Sequence, residues 1–538
     1  MKLKRYSCLI LFLAFTTLAC ADTDMVPMRD GVKLATEAYL PAEGGPAFPV
    51  VLARSVYGRG PGKQLAEGYN KRGIAFVVQD TRGRGDSEGG QDMVFLDDGW
   101  GERRDGLDTV KWIREQPWCN GKVGSWGGSA LGITQILMAG AGTDLEAQSI
   151  LVAASDFYGQ LSYQGGVFYK ELIEKWIAGQ ESEHIIALWK SHPTYDAFWK
   201  GFNAELRAPQ VTAPGMHVGG WFDIFGQGTI NNYVSRQHNG GPGAKGTQKL
   251  IMGAWPHGIT RDVGELKLHE NSGFDVDGYE ARFFENYLLG KDNGIAKEPA
   301  VHYYTLGACG EEGAPGNEWR TAEDWPPFPT KETAYLLMPD NGLTTDAASV
   351  KEGQFTYVYD PKNPCPTQGG ANLYMDHGAG PMNQLKIGER EDVLKFSTPP
   401  LEAPFEITGR VKVRLFVSTD APDTDFPAKL VDIYPDGREF LMLDGIRRLK
   451  FRNGCEKAEP LPAGEVGEVE IDLWSISLIV NKGHRIGVQI SSSNYPRFEL
   501  NPNTGEDFPG AELRPAKNTV YTGGRYPSAL VLPVRPQA

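Results

Sequence analysis

Ser129 lies in the segment of this chain whose residue types are best suited to nucleophilic chemistry. Residues 124–135 read GSWGGSALGITQ, so an apolar run leads through glycines to Ser129 and continues into small and apolar residues. A strand that turns sharply into a helix needs small residues around the turn, because larger side chains would clash with the neighbouring elements. The spacing is Gly-x-Ser-x-x-Gly rather than the common Gly-x-Ser-x-Gly. A purely structural glycine-rich turn is the alternative interpretation.

Two downstream residues complete the pattern of a serine hydrolase. Asp223 ends the apolar run HVGGWFD, and His257 ends the run LIMGAWPH. A histidine can take the proton of a serine hydroxyl, and an acid can hold that histidine in place. The chain order Ser, Asp, His is that of α/β-hydrolases and differs from the orders in chymotrypsin and subtilisin. Each residue alone is compatible with a structural role, but together they predict a catalytic triad of Ser129, Asp223 and His257.

The elements that must position these residues are visible in the hydropathy pattern. Uninterrupted apolar runs cover residues 49–53, 74–78, 121–126 and 249–253. Such runs are typical of strands buried on both faces, and they predict a parallel sheet covered by helices. Residues 155–208 break the pattern with aromatic and charged residues at helical spacing, which predicts a helical insertion. After about residue 325, proline-rich turns and alternating strands predict an all-β sandwich.

Composition and charge exclude several classes of protein. The chain has 538 residues, of which 41% are hydrophobic and 23% charged, so it is neither disordered nor collagen-like. A net charge of −14 argues against a partner that is nucleic acid. The cysteines beyond residue 21 are scattered, which predicts no metal site and leaves one or two disulfides open. The loop QDTRGRGDSEGG lacks the full dinucleotide fingerprint, so no cofactor is predicted.

The first 21 residues are predicted to be a secretory signal peptide. Three basic residues precede a short apolar run, which is too short to span a membrane. Two processing routes stay open: cleavage after Ala21, or lipidation of Cys20 at an imperfect lipobox in which Thr17 replaces the usual leucine. The protein is therefore expected to be exported, to the periplasm or the outside of the cell, with a membrane attachment only through a lipid on Cys20.

Several longer motifs show that the chain resembles a known family. The sequence is similar to the cocaine esterase and X-Pro dipeptidyl-peptidase family in RSVYGRG, WCNGKVGSWGGSALGITQ, GGWFDIFG, GAWPHG, DTDFPAKLVDIYPDGR and SSSNYPRFELNPNTG. This resemblance covers nearly the whole chain beyond the signal peptide. It implies an α/β-hydrolase domain with an inserted helical cap, followed by an all-β jelly-roll domain. The expected boundaries are a signal peptide at 1–21, the hydrolase domain at 22–154 and 209–325, the cap at 155–208 and the jelly roll at 326–538.

The resemblance also implies roles for individual residues. Ser129 matches the nucleophile, Asp223 the acid and His257 the base. Tyr57 in RSVYGRG matches a tyrosine whose hydroxyl completes the oxyanion hole. The backbone N–H of Ala130, the residue after the nucleophile, is the second expected donor.

The expected class of substrate follows from positions at which this chain and the amine-binding members of the family have different residues. Those members carry acidic residues where this chain has Phe225, Gly226 and Leu161. An ammonium group buried without a carboxylate is costly, so the resemblance implies an uncharged acyl group, aromatic or medium-sized. Phe225 and Trp176 match aromatic residues of the acyl pocket. Ser162 replaces a further pocket tryptophan, and a wider or wetter pocket is therefore expected.

The predicted function is cleavage of carboxylic esters or amides of small molecules by a secreted serine hydrolase. An X-Pro dipeptidyl-peptidase or α-amino-acid ester hydrolase is the first alternative. A catalytically inert binding protein that uses its β-sandwich for recognition is the second. The sequence does not predict an oligomeric state.

Overall fold

The computed structural model of the protein describes residues 23–90, 95, 99–261 and 263–536. The predicted signal peptide, with Cys20 and Ala21, lies outside the described residues. Among the helices that are described, none is long and apolar enough to cross a lipid bilayer. The cysteines in these ranges are all free thiols, so neither of the disulfides left open by the sequence forms within the described chain.

The N-terminal part of the chain is built on strands whose side chains are buried on both faces. In Phe48–Ser55, Ala75–Asp80, Gly215–Phe222 and Lys249–Pro256 every side chain is buried. The strands of this part, in chain order, are β1 Thr23–Pro27, β2 Lys33–Tyr39, β3 Phe48–Ser55, β4 Ala75–Asp80, β5 Cys119–Gly128, β6 Gln148–Leu151, β7 Tyr163–Gln164, β8 Val167–Phe168, β9 Gly215–Phe222, β10 Lys249–Pro256, β11 Val301–Thr305 and β12 Glu318–Ala322.

Ten of these strands form one sheet in the order β1-β2-β4-β3-β5-β6-β9-β10-β11-β12. The pairs from β4 through β11 are parallel, whereas β1, β2 and β12 pair antiparallel at the edges. The α-helices are α1 Gly62–Asn70, α2 Asp105–Glu115, α3 Ala130–Gly140, α4 Lys170–Ala178, α5 His184–Lys190, α6 Ala197–Lys200, α7 Gly226–Asn239 and α8 Val276–Leu289. This is the parallel, helix-covered sheet that the apolar runs predict.

A mostly helical segment interrupts the sheet between β6 and β9. It contains the small hairpin of β7 and β8, helices α4 to α6, and a π-helical turn at Tyr158–Ser162. The predicted insertion at 155–208 falls within this segment. The predicted boundaries themselves stay predictions.

The C-terminal part is β-rich and forms two antiparallel sheets. One sheet contains β13, β14, β15, β17, β20, β22 and β23, and the other contains β16, β18, β19 and β21. Side chains of Val411–Val417 alternate between buried and more exposed positions, as the sequence pattern indicates. The strands are β13 Lys331–Leu337, β14 Leu343–Thr344, β15 Gly353–Tyr359, β16 Leu394–Ser397, β17 Phe405–Thr419, β18 Asp425–Ile433, β19 Glu439–Arg448, β20 Gly467–Val480, β21 Arg485–Ile490, β22 Ala516–Thr522 and β23 Ala529–Val534.

One hydrophobic core joins the two parts of the chain. The cluster contains Trp221 and Leu250 of the large sheet together with Ile407, Val413 and Leu478 of the C-terminal sheets. Because all of these side chains are almost fully buried, separating the two parts would expose apolar surface to water. The C-terminal sheets are therefore part of the body that positions the site.

Glu280 is a half-buried acid on α8, beneath the large sheet. The Tyr69 hydroxyl donates to its Oε1 at 2.7 Å, and the Ser149 hydroxyl donates to its Oε2 at 2.5 Å. Burial nevertheless raises the pKa of the Glu280 carboxyl from 4.5 to about 7. The folded state therefore binds this proton more tightly than the unfolded state, and stability falls as pH rises from about 4.5 to about 7.

We predict that Glu280→Gln makes the stability of the protein less sensitive to a rise in pH from 5 to 8. The variant cannot ionise at this position, so it should gain up to about 3 kcal/mol relative to the parent protein between pH 5 and pH 8. Denaturant unfolding at the two pH values measures this difference. Glu67→Gln, at an exposed position on α1, is the matched control and should show no gain. An equal gain in the free energy of unfolding for Glu280→Gln and Glu67→Gln would contradict the raised pKa assigned to Glu280.

Candidate active site

Ser129 occupies a strained turn between β5 and α3. Its backbone has φ +54° and ψ −122°, and its N–H donates to the carbonyl of Leu151 at 2.9 Å. A Cβ added at Gly127 would lie 2.5 Å from the carbonyl oxygen of Leu131, and one at Gly132 would lie 2.7 Å from the Cβ of Ala153. The glycines in Gly-x-Ser-x-x-Gly are therefore required by close backbone approach, and a non-glycine residue at positive φ is typical of a functional site.

The structure brings Ser129, His257 and Asp223 into one hydrogen-bonded chain. His257 Nε2 lies 2.8 Å from Ser129 Oγ, and His257 Nδ1 lies 2.7 Å from Asp223 Oδ1. Asp223 is fully buried, and the His257 side chain is largely buried. A carboxylate can only accept, so Nδ1 carries the proton and Nε2 is free to accept from the serine hydroxyl. This is the arrangement that activates a serine nucleophile.

Parallel pairing in the sheet explains why these distant residues meet. Ser129 follows β5, Asp223 follows β9 and His257 follows β10. Strands β9 and β10 are direct neighbours, and β6 separates them from β5. Because all of these strands run in the same direction, their carboxyl ends share one edge of the sheet, where binding sites of such sheets form.

Tyr57 and Ala130, the predicted oxyanion donors, follow strands β3 and β5 at this edge. Tyr57 follows β3, and its backbone N–H donates to Ser55 Oγ at 3.0 Å. The Tyr57 hydroxyl accepts from the indole N–H of Trp176 at 3.0 Å, while the residue as a whole is 53% exposed. Enclosure of the hydroxyl end by the protein raises the pKa of Tyr57, so its proton is retained and can be donated. Ala130 opens α3, where first-turn N–H groups have no partner within the helix.

A narrow apolar pocket opens at Ser129. Its free volume is about 20 Å³, which is room for about one water molecule. Apart from Ser129, the residues that line it within the described part of the chain are all apolar: Phe95, Ala130, Ile133, Leu161, Leu172, Trp176, Ile224, Phe225 and Leu373. The Phe225 ring packs edge-on against His257 with 5.5 Å between ring centroids, and Trp176 stacks on Phe95 at 5.6 Å.

The structure gives no support to a pocket widened at Ser162, because Ser162 is fully buried and does not line the pocket. Phe95 and Leu373, to which no sequence pattern pointed, do line it. Both of the aromatic residues predicted for the pocket, Phe225 and Trp176, do line it.

Sequence reasoning missed several lining residues for different reasons. Ile133 and Ile224 could have been found, because one lies a helical turn beyond Ser129 and the other follows Asp223 directly. Leu373 belongs to the C-terminal part of the chain, and no local pattern connects it to the site. Only the tertiary packing brings it there.

The position of Trp176 on α4 is held from two sides. On one side, Arg84 of the loop 79–90 donates to the carbonyl of Gln180 at 2.6 Å and to Ser182 Oγ at 2.7 Å. On the other side, the backbone N–H of Glu171 donates to the carbonyl of Arg497 in the C-terminal part at 3.3 Å. Arg84 of the RGRG motif thus has a structural role.

Comparisons with known proteins agree with this architecture. Residues 30–184 and 169–259 match the family model of X-Pro dipeptidyl-peptidase (S15 family), and residues 293–531 match the X-Pro dipeptidyl-peptidase C-terminal non-catalytic domain. The cocaine esterase of Rhodococcus sp. (strain MB1 Bresler) is 32% identical over 584 residues, covering 96% of this chain and 98% of that protein.

Two solved structures share the fold over almost the whole chain. The aminopeptidase from a marine-sediment Thaumarchaeota archaeon superposes with a TM-score of 0.80 at 25% identity, covering 95% of this chain and 96% of that one. An α-amino-acid ester hydrolase superposes with a TM-score of 0.80 at 24% identity, covering 98% of this chain and 100% of that one. The N-terminal part is thus an α/β-hydrolase domain, and a β-rich domain follows it. The chain belongs to the family of X-Pro dipeptidyl-peptidases and cocaine esterase, and it is a serine hydrolase.

Proposed function

We propose that this protein is an exported esterase that hydrolyses carboxylic esters with an uncharged, apolar acyl group. The observation that carries the proposal is the hydrogen-bonded chain from Asp223 through His257 to Ser129, which ends in a pocket where none of the described lining residues is charged. The 32% identity to a cocaine esterase supports ester hydrolysis as the reaction.

The proposed mechanism begins with proton transfer. His257 Nε2 takes the proton of Ser129 Oγ as that oxygen attacks the ester carbonyl, and Asp223 stabilises the imidazolium. The Tyr57 hydroxyl and the Ala130 N–H donate to the oxyanion of the tetrahedral intermediate. Collapse of this intermediate breaks the ester C–O bond, and the alcohol leaves with the proton from His257. Water then attacks the acyl-enzyme in the same way and releases the acid.

The pocket lining is the argument for an uncharged acyl group. An ammonium group placed among Leu161, Leu172 and Ile224 would lose its hydration without gaining a carboxylate partner. A small apolar acyl group instead gains by leaving water. An acyl group larger than the free volume must displace walls of the pocket such as Trp176 or Leu373.

An X-Pro dipeptidyl-peptidase is the second candidate, and the S15 family match favours it. Such an enzyme must bind the N-terminal ammonium of its substrate. Cleavage of an Ala-Pro-anilide that stops when the amino group is acetylated would support this candidate over the esterase. A catalytically inert binding protein is the less favoured proposal, because it would give no role to the hydrogen bond between Ser129 and His257.

The finer architecture is also proposed. We infer that the segment between β6 and β9 acts as a cap over the site, since it supplies Leu161, Leu172 and Trp176 to the pocket. The two C-terminal sheets are proposed to form a jelly roll that walls the cleft through Leu373. Export rests on the predicted signal peptide, with lipidation at Cys20 as one of its two processing routes.

We predict that Ser129 is the only residue labelled by a fluorophosphonate, because only an activated serine attacks phosphorus at a useful rate. Intact mass of the purified protein should increase by one adduct, and Ser129→Ala should show none. Ser162→Ala is the matched control, since its hydroxyl is buried close to the pocket without a hydrogen-bond partner among the described residues. An adduct in Ser129→Ala, or none on folded parent protein, would overturn the proposed nucleophile.

Tyr57→Phe is expected to lower kcat by roughly 10²–10³-fold with little change in KM, since the lost hydroxyl donates mainly in the transition state. Steady-state hydrolysis of p-nitrophenyl butyrate measures both constants. A decrease in kcat of less than about threefold would show that Tyr57 is not an oxyanion donor.

A matched pair of esters tests the acyl pocket. The p-nitrophenyl ester of 2-aminobutyrate differs from p-nitrophenyl butyrate by one ammonium group, and its kcat/KM should be lower by about 100-fold or more. In Leu161→Asp the difference in kcat/KM between the two esters should be smaller, because the new carboxylate pairs with the ammonium group of the substrate. Leu161→Asn is the neutral control. Equal rates for both esters in the parent protein would contradict an uncharged acyl specificity.

A further inference from the structure

One hydrogen bond joins a wall of the acyl pocket to a predicted oxyanion donor. The indole N–H of Trp176 donates to the hydroxyl oxygen of Tyr57 at 3.0 Å. Trp176 lines the pocket together with Ser129, whereas Tyr57 lies beside that lining and follows β3. The hydroxyl of Tyr57 is therefore in direct contact with a side chain that faces the nucleophile's pocket.

The direction of this hydrogen bond follows from the chemistry of the two groups. An indole N–H can only donate, so the Tyr57 oxygen is the acceptor. Because Trp176 approaches that oxygen with its own hydrogen, the hydroxyl proton must point away from the indole. Among the residues that the structure describes, none accepts this proton. The hydroxyl can therefore donate it to a substrate.

The same bond strengthens the hydroxyl as a donor. Burial raises the pKa of Tyr57, and the hydrogen bond from Trp176 opposes that rise, because an N–H that donates to the hydroxyl oxygen stabilises negative charge there. Hydrogen bonds in a chain also polarise one another. A hydroxyl that accepts from Trp176 is thus a better donor to an oxyanion, and the gain is largest in the transition state, where the charge on the oxyanion develops.

The ring of Trp176 is held in place by other aromatic rings. It lies nearly parallel to the Phe95 ring, with an interplanar angle of 3° and 5.6 Å between the ring centroids. Phe95 in turn packs edge-on against the buried ring of Phe157 at 5.6 Å. An indole fixed by such packing can keep one orientation of the Tyr57 hydroxyl, as a supporting residue must.

Tyr57 depends on this contact because much of the residue is open to solvent. It is 53% exposed, and the bond from its N–H to Ser55 Oγ holds the backbone but not the ring. A donor stabilises a transition state best when it is already oriented, because no reorganisation is then needed during the reaction. Trp176 provides that orientation from the side of the pocket.

We propose that Trp176 is a positioning residue of the oxyanion hole, whose indole N–H orients the Tyr57 hydroxyl toward the oxyanion and strengthens it as a donor. Trp176 acts on the oxyanion only through Tyr57. This role rests on the proposed function, in which Tyr57 is an oxyanion donor.

A double-mutant cycle separates this role from that of a pocket wall. Trp176→Phe removes the N–H and keeps an aromatic ring against Phe95, and Tyr57→Phe removes the acceptor. With p-nitrophenyl acetate, whose small acyl group makes the least use of the pocket walls, Trp176→Phe should lower kcat by about three- to tenfold and change KM by less than about twofold. In the Tyr57→Phe background it should change kcat by less than about 1.5-fold, because the hydroxyl that it orients is absent.

Leu172→Val is the matched control for a change in the pocket wall. Leu172 lines the same pocket from the same helix, α4, and its aliphatic side chain has no polar group to orient Tyr57. Its effect on kcat/KM should be the same with and without the Tyr57 hydroxyl. The cycle is also measured on the rate of fluorophosphonate labelling of Ser129, which needs no ester substrate.

Two results would overturn the inference, and they are distinguishable. If Trp176→Phe has the same effect in both backgrounds while Tyr57→Phe lowers kcat by roughly 10²–10³-fold, Trp176 is only a wall and the proposed function stands. If Tyr57→Phe lowers kcat by less than about threefold, the oxyanion role of Tyr57 fails and the role of Trp176 fails with it. If Trp176→Phe does not fold, Trp176→Met, which is flexible enough to fill the space and has no N–H, replaces it in the cycle.

Discussion

The close approach of helix α3 to strands β5 and β6 is the constraint on which the site depends. Glycines at 127 and 132 leave no Cβ to separate these elements, and a Cβ at either position would collide with its neighbours. Ser129 between them is held at positive φ by its bond to the Leu151 carbonyl. Packing of the sheet and the helix on both sides of this turn keeps its strained backbone in place. His257 and Asp223 are then placed around a serine that cannot move away.

The walls of the pocket come from distant parts of the chain. Leu161 and Trp176 belong to the segment that interrupts the sheet, Phe225 to the start of α7 and Leu373 to the β-rich domain. A shared hydrophobic core holds that domain against the large sheet. The apolar enclosure keeps water away from the hydrogen-bonded residues, which strengthens their electrostatic interactions. The β-rich domain is therefore part of the site even though it supplies none of the reacting groups.

Local patterns in the sequence were sufficient to find the residues at the strand ends. Ser129, Asp223 and His257 each follow a buried apolar strand, and parallel pairing brings such strand ends to one edge. The shape of the pocket could not be found in this way. Ser162 was expected to widen it but is buried elsewhere, because the neighbouring residue Leu161 takes the lining position. Which of two adjacent side chains faces a cavity depends on local backbone geometry, here a π-helical turn, and periodicity does not predict such a turn.

The sequence by itself determined the class of fold, the order of its parts and the residues able to attack a carbonyl. These depend on hydrophobic periodicity and on glycine positions, which are local properties of the chain. The tertiary structure decided the width and the apolar lining of the acyl pocket and the contact between Trp176 and Tyr57. Each of these depends on contacts between residues far apart in the chain. Such contacts depend on how the close-packed elements fit together, and local sequence patterns do not predict that packing.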